Sequence, residues 1–293
     1  MNNQDNEKVF QKSQINWYPG HMAKTKRLIN ENINRIDVVY EVIDARIPYS
    51  SKIKDIDEYI KNKKRILIMT KYDLCDKIET GKWINYYEEK GYTVITLDLI
   101  HDKINKVINI TKDLMEESFN KRLDKGLSKR KIRVLVVGIP NVGKSTLINR
   151  LVNKKVVNTG NKPGVTKQLN WIRVDNELEL LDSPGILWPK FDNDTIAFNL
   201  ASTTAIKEEV LPIDRVVFYI IDFLKKYYPN YLKERYNIDE YEDIVDALDM
   251  IGKRRGCLIK GGEVDYDKVY SVVINDIKDG LIKNITFDRW FYE

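Results

Sequence analysis

The sequence is poor in cysteine: Cys75 and Cys257 are the only two in 293 residues, and neither stands in a Cys-x-x-Cys or Cys/His spacing. That excludes a disulfide framework or a cysteine zinc site and suits a reducing cytosol. No stretch reaches the roughly 18 consecutive apolar residues that a membrane helix needs, so no membrane role is expected. Charge of one sign is scarce as well: 49 Lys and Arg face 44 Asp and Glu, a net +5, too mild by itself to single out a nucleic-acid partner. Internal repeats and low-complexity segments are lacking. The first 14 residues, MNNQDNEKVFQKSQ, contain Asp5 and Glu7 and have no apolar core, so residues 1–14 read as a flexible start rather than a secretory or transit signal.

The residues present alternate in character. Six short segments rich in β-branched residues, 37–43, 65–70, 93–99, 132–137, 169–175 and 178–182, are separated by helical stretches, a rhythm that predicts an α/β domain. Segments 37–43, 65–70 and 132–137 are almost continuously apolar, as in strands covered on both faces of a mainly parallel sheet. The last two segments are separated only by Asn176 and Glu177, which reads as a hairpin and makes the sheet mixed, with one antiparallel edge. Beyond about residue 190 the period turns helical, most clearly at Ile213, Val216, Val217, Ile220, Ile221, Leu224, Tyr227 and Tyr228. Two more candidate helices, with faces Ile244, Val245, Leu248, Ile251 and Val269, Val272, Val273, Ile277, flank the loop KRRGCLIKGGEVD, and Pro212 and Pro229 stand at helix starts. The expected organisation is a domain over 15–189 and a small all-α domain over 190–293.

Directly after segment 132–137 and before the helical run TLINRLVNKK comes Gly138-Ile-Pro-Asn-Val-Gly143-Lys144-Ser145, which fills the G-x-x-x-x-G-K-[ST] pattern. In that setting Asn141, Val142 and Gly143 wrap phosphates with backbone N–H groups and the helix N-terminus adds positive potential. Lys144 reaches the β- and γ-phosphates, Ser145 coordinates Mg²⁺, and Thr146 holds the α-phosphate region. Segment 178–182 ends in Asp182-Ser-Pro-Gly185, where an acid faces the magnesium and the Gly185 N–H senses the γ-phosphate. Between the two motifs, Thr166 in GNKPGVTK completes the Mg²⁺ shell from a loop able to order and disorder, unless it is an ordinary polar loop residue.

Choosing guanine over adenine needs a carboxylate that accepts from both N1–H and the exocyclic amine. Asp73 in Thr70-Lys71-Tyr72-Asp73 stands for this after segment 65–70, with the Lys71 stem over the base face. Thr70 occupies a place where such motifs usually carry Asn, which predicts a weaker tether to the phosphate loop. The next strand end offers Leu97, Asp98 and Leu99 as a final base-contacting loop, without the usual Ser-Ala pair. Asp73 lies 65 residues ahead of Gly138, whereas the ordinary order is the reverse, so the domain is circularly permuted, with residues 100–131 as the join and the new opening just after Gly185.

W-Y-P-G-H-M at 17–22, D-A-R-x-P at 44–48, TKYD, GIPNVGKST, PGVT and DSPG, in that order, resemble the circularly permuted GTPases of the ribosome biogenesis GTPase A family over residues 15 to 285. The resemblance implies a P-loop GTPase domain, GTP hydrolysis coupled to late maturation of the large ribosomal subunit in the cytoplasm, stimulation by ribosomal particles, and a helical C-terminal domain that binds rRNA. The stretch R-G-C-L-x-x-G-G-x-x-D at 255–265 is similar to that family's C-terminal signature. Many GTPases align the attacking water with Gln after the D-x-x-G glycine, but here that residue is Ile186. The resemblance places His21 near the nucleotide as the catalytic water-aligning candidate, the other reading being a surface histidine in a turn. Asn141 resembles the asparagine that holds K⁺ in potassium-activated relatives; alternatively it only tolerates a left-handed turn. Lys121, Arg122, Lys125, Lys129, Arg130, Lys131 and Arg133, with Lys253, Arg254 and Arg255, are the candidate phosphate-neutralising clusters. A monomer is expected. The competing reading is a nucleotide-gated ribosome-binding scaffold with little turnover, motivated by Ile186, while TKYD argues against a small-molecule kinase.

Overall fold

In the computed structural model the described residues are 20–60, 62–158, 169–186, 193–206 and 211–290. The first strand of the chain lies inside the sheet. β1 (Val38–Asp44), buried along all of its length, pairs in parallel with β2 (Lys64–Thr70) on one side and β4 (Ile132–Val137) on the other. β3 (Thr93–Leu97) extends the sheet beyond β2, β6 (Leu178–Asp182) extends it beyond β4, and β5 (Asn170–Arg173) runs antiparallel along the β6 edge. The order is β3-β2-β1-β4-β6-β5, the mixed and mainly parallel sheet that the alternation predicts. Five parallel strands bring their carboxyl ends to one side, where open α/β sheets bind ligands. Asp44, Thr70, Leu97, Val137 and Asp182 mark that side.

Two boundaries fall short of the sequence reading because aspartates capture the backbone. β3 stops at Leu97 rather than 99, since Asp98 Oδ1 accepts from the N–H groups of Ile100 (2.7 Å) and His101 (3.2 Å) and turns the chain. In the hairpin, Asp175 Oδ1 accepts from Glu177 and Leu178 N–H, both at 2.7 Å, so residues 174–177 replace the expected two-residue turn.

The helices of the first unit are α1 (Gly20–Asn32), α2 (Ile56–Ile60), α3 (Lys77–Glu89), α4 (Asn105–Asp124) and α5 (Lys144–Val152). The 20-residue α4 forms most of the expected join and carries the chain from the end of β3 back to the start of β4. Then follow α6 (Asp194–Ser202), α7 (Ile213–Tyr227), α8 (Asn230–Tyr236), α9 (Ile244–Arg255) and α10 (Tyr266–Lys278). α7 buries Val216, Val217, Ile220, Ile221 and Leu224 as their spacing predicts, and Pro212 and Pro229 are the cap residues before α7 and α8. α6 has no such signal in the sequence; its cap is the Asn193 side chain, which accepts from Ile196 N–H at 2.9 Å.

The larger of two apolar clusters runs from Ile29 through the sheet to Phe287 and joins both parts of the chain, while the smaller one, around Leu67, Met69 and Trp83, lies on the sheet and receives Trp290. After α10 the chain returns to the first unit as a strap. Ile285 N–H donates to Leu74 O (3.2 Å) and Phe287 N–H to Arg46 O (2.8 Å), while Trp290 packs edge-on against Trp83, centroids 5.0 Å apart. Asp288, wholly buried, accepts from Tyr49 N–H and Ser50 N–H (both 2.7 Å), Ser50 Oγ–H (2.5 Å) and Asn199 Nδ2–H (2.8 Å).

Candidate nucleotide-binding site

The phosphate loop leaves β4 against its neighbour. A Cβ on Gly138 would lie 2.4 Å from Val42 O, so only glycine lets the loop start this close to β1. At the other end Gly143, at φ +94°, precedes the first residue of α5, and a Cβ there would meet Leu99 at 2.9 Å. The DSPG turn closes on the same loop: Ile186 N–H donates to Gly138 O at 3.1 Å, and a Cβ on Gly185 would press on Pro140 at 3.0 Å. Lys144, the first residue of α5, and Asp182, at the end of β6, are both buried, and Lys144 Nζ donates to Ile139 O at 2.8 Å. Burial lowers the Lys144 ammonium to about 8, partly offset by the Asp182 charge. Its cation is thus held dehydrated inside the loop, where an entering phosphate would replace a carbonyl as its partner. Ser145 is half-buried and Thr146 exposed in the first turn of α5.

The base motif is joined to this loop from the far side of β1. The expected weakness at Thr70 is not what the geometry shows: its buried hydroxyl reaches Val142 O at 2.5 Å and Ile43 O at 3.0 Å, so a hydroxyl makes the tether to the phosphate loop. Lys71, in the left-handed region at φ +55°, donates from Nζ to Asn141 O (2.9 Å) and pairs with Asp44 (2.9 Å). Burial pulls the Lys71 ammonium below its ordinary value, and Asp44 restores part of it. Asp44 is itself gripped by Arg46, whose Nε and Nη2 donate to the two carboxylate oxygens at 3.1 and 2.8 Å. Burial alone would raise the Asp44 carboxyl, but the Arg46 and Lys71 charges outweigh it and hold the group well below the usual carboxylate range. The third guanidinium donor, Nη1, ends on Ile277 O of α10 at 2.8 Å. Asp44 and Arg46 were visible in the sequence only as part of D-A-R-x-P; two charged residues at the end of a mostly apolar strand were the signal of a structural role.

Asp73 is half-buried, and burial together with the Asp98 charge raises its carboxyl above the usual value. Asp98 lies close by, but its carboxylate caps the 98–101 turn and meets His101 Nδ1 at 2.6 Å. Leu97 is buried in the core, its carbonyl accepting from Tyr72 N–H at 3.3 Å, while Leu99 rather than Leu97 lies against Gly143. Asn141, at φ +61°, adopts the left-handed turn read from the sequence, and its amide Nδ2 donates to Thr204 O, beyond α6, at 2.6 Å. His21 falls in the first turn of α1, and Thr166 lies outside the described residues.

No group of three or more His, Cys, Asp or Glu side chains able to hold a metal occurs among the described residues. A buried carboxylate, Asp182, with a helix-start hydroxyl, Ser145, is a sparse set of hard oxygen donors. That fits Mg²⁺, which keeps waters and takes phosphate oxygens, and does not fit a cation needing an all-protein cage. The basic run of α4 and β4 is largely neutralised within the chain: Lys121 pairs with Glu117 (2.5 Å), Lys129 with Glu177 (2.9 Å), Arg130 with Asp37 and Arg133 with Glu179 (both 2.6 Å). Arg254 and Arg255 donate to the carbonyls of Tyr236 (2.7 Å) and Arg235 (2.8 Å).

Residues 133–253 match the family model described as "50S ribosome-binding GTPase". Over 94% of its length the chain is 50% identical to ribosome biogenesis GTPase A of Priestia megaterium, covering 96% of that protein, and 46% identical to the Bacillus cereus protein of the same name, covering 93% of it. Among solved structures, GNP-bound YlqF from T. maritima superposes with a TM-score of 0.65 at 26% identity, covering 91% of this chain and 98% of that one. A GDP-bound YlqF gives 0.64 at 25% identity, covering 90% and 99%.

Proposed function

Because the chain belongs to the ribosome biogenesis GTPase A family and is therefore a GTP hydrolase, we propose that it drives late assembly of the large (50S) ribosomal subunit, with turnover stimulated by ribosomal particles. The observation that carries the nucleotide reading is the double link from the base motif to the phosphate loop, Thr70 to Val142 and Lys71 to Asn141, made although the motifs occur in reversed order. Asp73 reads guanine, with the 97–98 backbone closing that side. The N–H groups of Asn141, Val142, Gly143 and Thr146 receive phosphates, Lys144 neutralises them, and Gly185, fixed against Pro140, registers the γ-phosphate. Ser145, Asp182 and Thr166 would hold Mg²⁺, which supplies charge neutralisation on the phosphates. Asn141 would be the K⁺ ligand of the phosphate loop. His21 aligns the water that the apolar Ile186 cannot.

The unit over 190–293 is read as the rRNA-binding part, the protein as a cytoplasmic monomer, and the connection after Gly185 as the path by which nucleotide state reaches the helices. No helix among the described residues is long and apolar enough to cross a membrane. The test is GTP hydrolysis by the purified protein in K⁺ and in Na⁺ buffer, each with and without large ribosomal subunits. Strong stimulation by subunits, larger in K⁺, is expected. Slow turnover indifferent to both would favour a nucleotide-gated scaffold, the reading that Ile186 motivates.

A further inference from the structure

D-A-R-x-P contributes no group to the phosphates, the metal or the base. Its arginine, Arg46, is nevertheless among the largest fully buried side chains of the described residues, and it follows β1 on the side of the sheet where the phosphate loop and the base motif meet. Asp44 and Thr70 are register partners at the ends of β1 and β2, and Ala45 N–H donates to Thr70 O at 2.9 Å. The carboxylate at the end of one strand therefore lies beside Lys71 at the end of the other.

Three donors of Arg46 fix that carboxylate. Its backbone N–H and its Nε reach Asp44 Oδ1 at 3.0 and 3.1 Å, and Nη2 reaches Oδ2 at 2.8 Å. The terminal torsion of an aspartate is otherwise broad, and the planar fork of a guanidinium sets it as an ammonium could not. Oδ2 is thereby held 2.9 Å from Lys71 Nζ, and the same ammonium donates to Asn141 O of the phosphate loop at 2.9 Å. Lys71 stands at φ +55°, a backbone conformation that a lysine keeps only where its surroundings hold it. The guanidinium is fixed in turn from the far end of the chain: Nη1 donates to Ile277 O of α10 at 2.8 Å, and Arg46 O accepts from Phe287 N–H at 2.8 Å. For stability alone, a buried ion pair gains little over apolar side chains of the same volume. What this one gains is a lysine held in one place.

We propose that Arg46 is a positioning residue for the nucleotide: its fork orients Asp44, Asp44 holds Lys71 against the phosphate loop and along the guanine face, and the seat on Ile277 makes the docking of α10 part of that grip. Guanine nucleotides then meet a loop and a base clamp already in register, and they lose affinity when the lysine is free to swing toward water. GDP and GTP share the base and the two phosphates nearest it, so the grip favours both equally and leaves the hydrolytic step alone. The inference rests on the reading of Lys71 and Asp73 as the base site.

The test uses the full chain and fluorescently labelled GDP and non-hydrolysable GTP analogue, titrated against Arg46→Lys, Asp44→Asn, Lys71→Met and the two double variants that add Lys71→Met. A lost charge-assisted hydrogen bond corresponds to about tenfold, so each single variant should bind both nucleotides about tenfold more weakly, while single-turnover hydrolysis at saturating GTP keeps the parent rate. Adding Arg46→Lys or Asp44→Asn to Lys71→Met should cost no further affinity, because the lysine through which they act is gone. A merely structural role would lower the melting temperature and the binding-competent fraction and leave the dissociation constant of that fraction unmoved. Parent-like affinity in folded Arg46→Lys overturns the proposal, as does a further loss on top of Lys71→Met; Asp44→Asn decides in the same way should Arg46→Lys not fold. Asp73→Asn separates the two readings. If it fails to move preference from guanine to xanthine while Arg46→Lys still acts through Lys71, the base assignment falls and the relay stands; if it moves the preference and Arg46→Lys binds as the parent does, the relay alone falls.

Discussion

Asp288 anchors the C-terminal strap as a fully buried carboxylate that accepts four hydrogen bonds and has no ion pair among the described residues. Burial pushes its carboxyl up to about 6, with the Ser50, Asn199 and Tyr49 hydrogen bonds opposing the rise. A carboxyl raised in the fold binds its proton more tightly there than in the unfolded chain, so this group stabilises the fold when protonated and the contribution is lost as pH rises through about 6. With an unfolded value near 3.9, the protein should be about 1.3 kcal/mol more stable at pH 5 than at pH 7 from this residue alone. Asp44 and Glu177, both held below the ordinary range, stay ionised in the fold across that interval, and Lys144, lowered to about 8, stays charged. Urea unfolding at pH 5, 6 and 7 of the parent and of Asp288→Asn isolates the term, because the amide cannot titrate. The parent should lose about 1.3 kcal/mol relative to the variant between pH 5 and 7. Parallel pH profiles for the two proteins would refute the reasoning, since they would mean that the four donors hold the charge as well as water does.

Asp73→Asn should shift preference from GTP toward xanthosine triphosphate, read by competition against a fluorescent nucleotide; unchanged guanine preference would remove Asp73 from the base site. Thr70→Val deletes the hydroxyl that meets Val142 O, leaving a buried carbonyl without its donor. A loss of about 1–3 kcal/mol is expected by denaturant titration, with weaker GTP binding by calorimetry. His21→Ala should lower single-turnover hydrolysis while GTP affinity stays nearly intact, whereas a fall in affinity would indicate a structural role. Gly138→Ala should unfold the loop or the protein, since its Cβ would lie 2.4 Å from Val42 O; a normal melting temperature would contradict the close approach.

The strands and the phosphate loop were legible because each rests on local pattern: apolar runs of strand length, and a glycine-rich turn between strand and helix. The pairing of β1 with both β2 and β4 was implied only by the permuted motif order, since no local signal encodes which strands become neighbours. Misread ends have a common cause, in that Asp98 and Asp175 look like strand continuations until their side chains are seen to capture N–H groups two and three residues on. The internal pairing of the charge runs was hidden for a different reason. A run of cations in sequence says nothing about carboxylates arriving from elsewhere, and Asp37 arrives from the start of β1 while Glu177 and Glu179 arrive from the β5–β6 hairpin. The strap was invisible for the same reason, because Asp288 and Trp290 find Ser50 and Trp83 more than 200 residues away.

The strap also bears on how the protein is made. A ribosome delivers the chain from its amino end, so β1, Arg46 and the TKYD turn emerge long before the residues that complete their surroundings. Until Ile277 arrives, the buried Arg46 guanidinium lacks one of its acceptors, and until 287–290 arrive, Trp83 and Ser50 lack their partners. The half-made chain therefore holds a phosphate loop whose supporting ion pair is still open to water. A chain that stops before residue 282 carries every nucleotide motif and lacks the Asp288 and Trp290 contacts to Ser50 and Trp83.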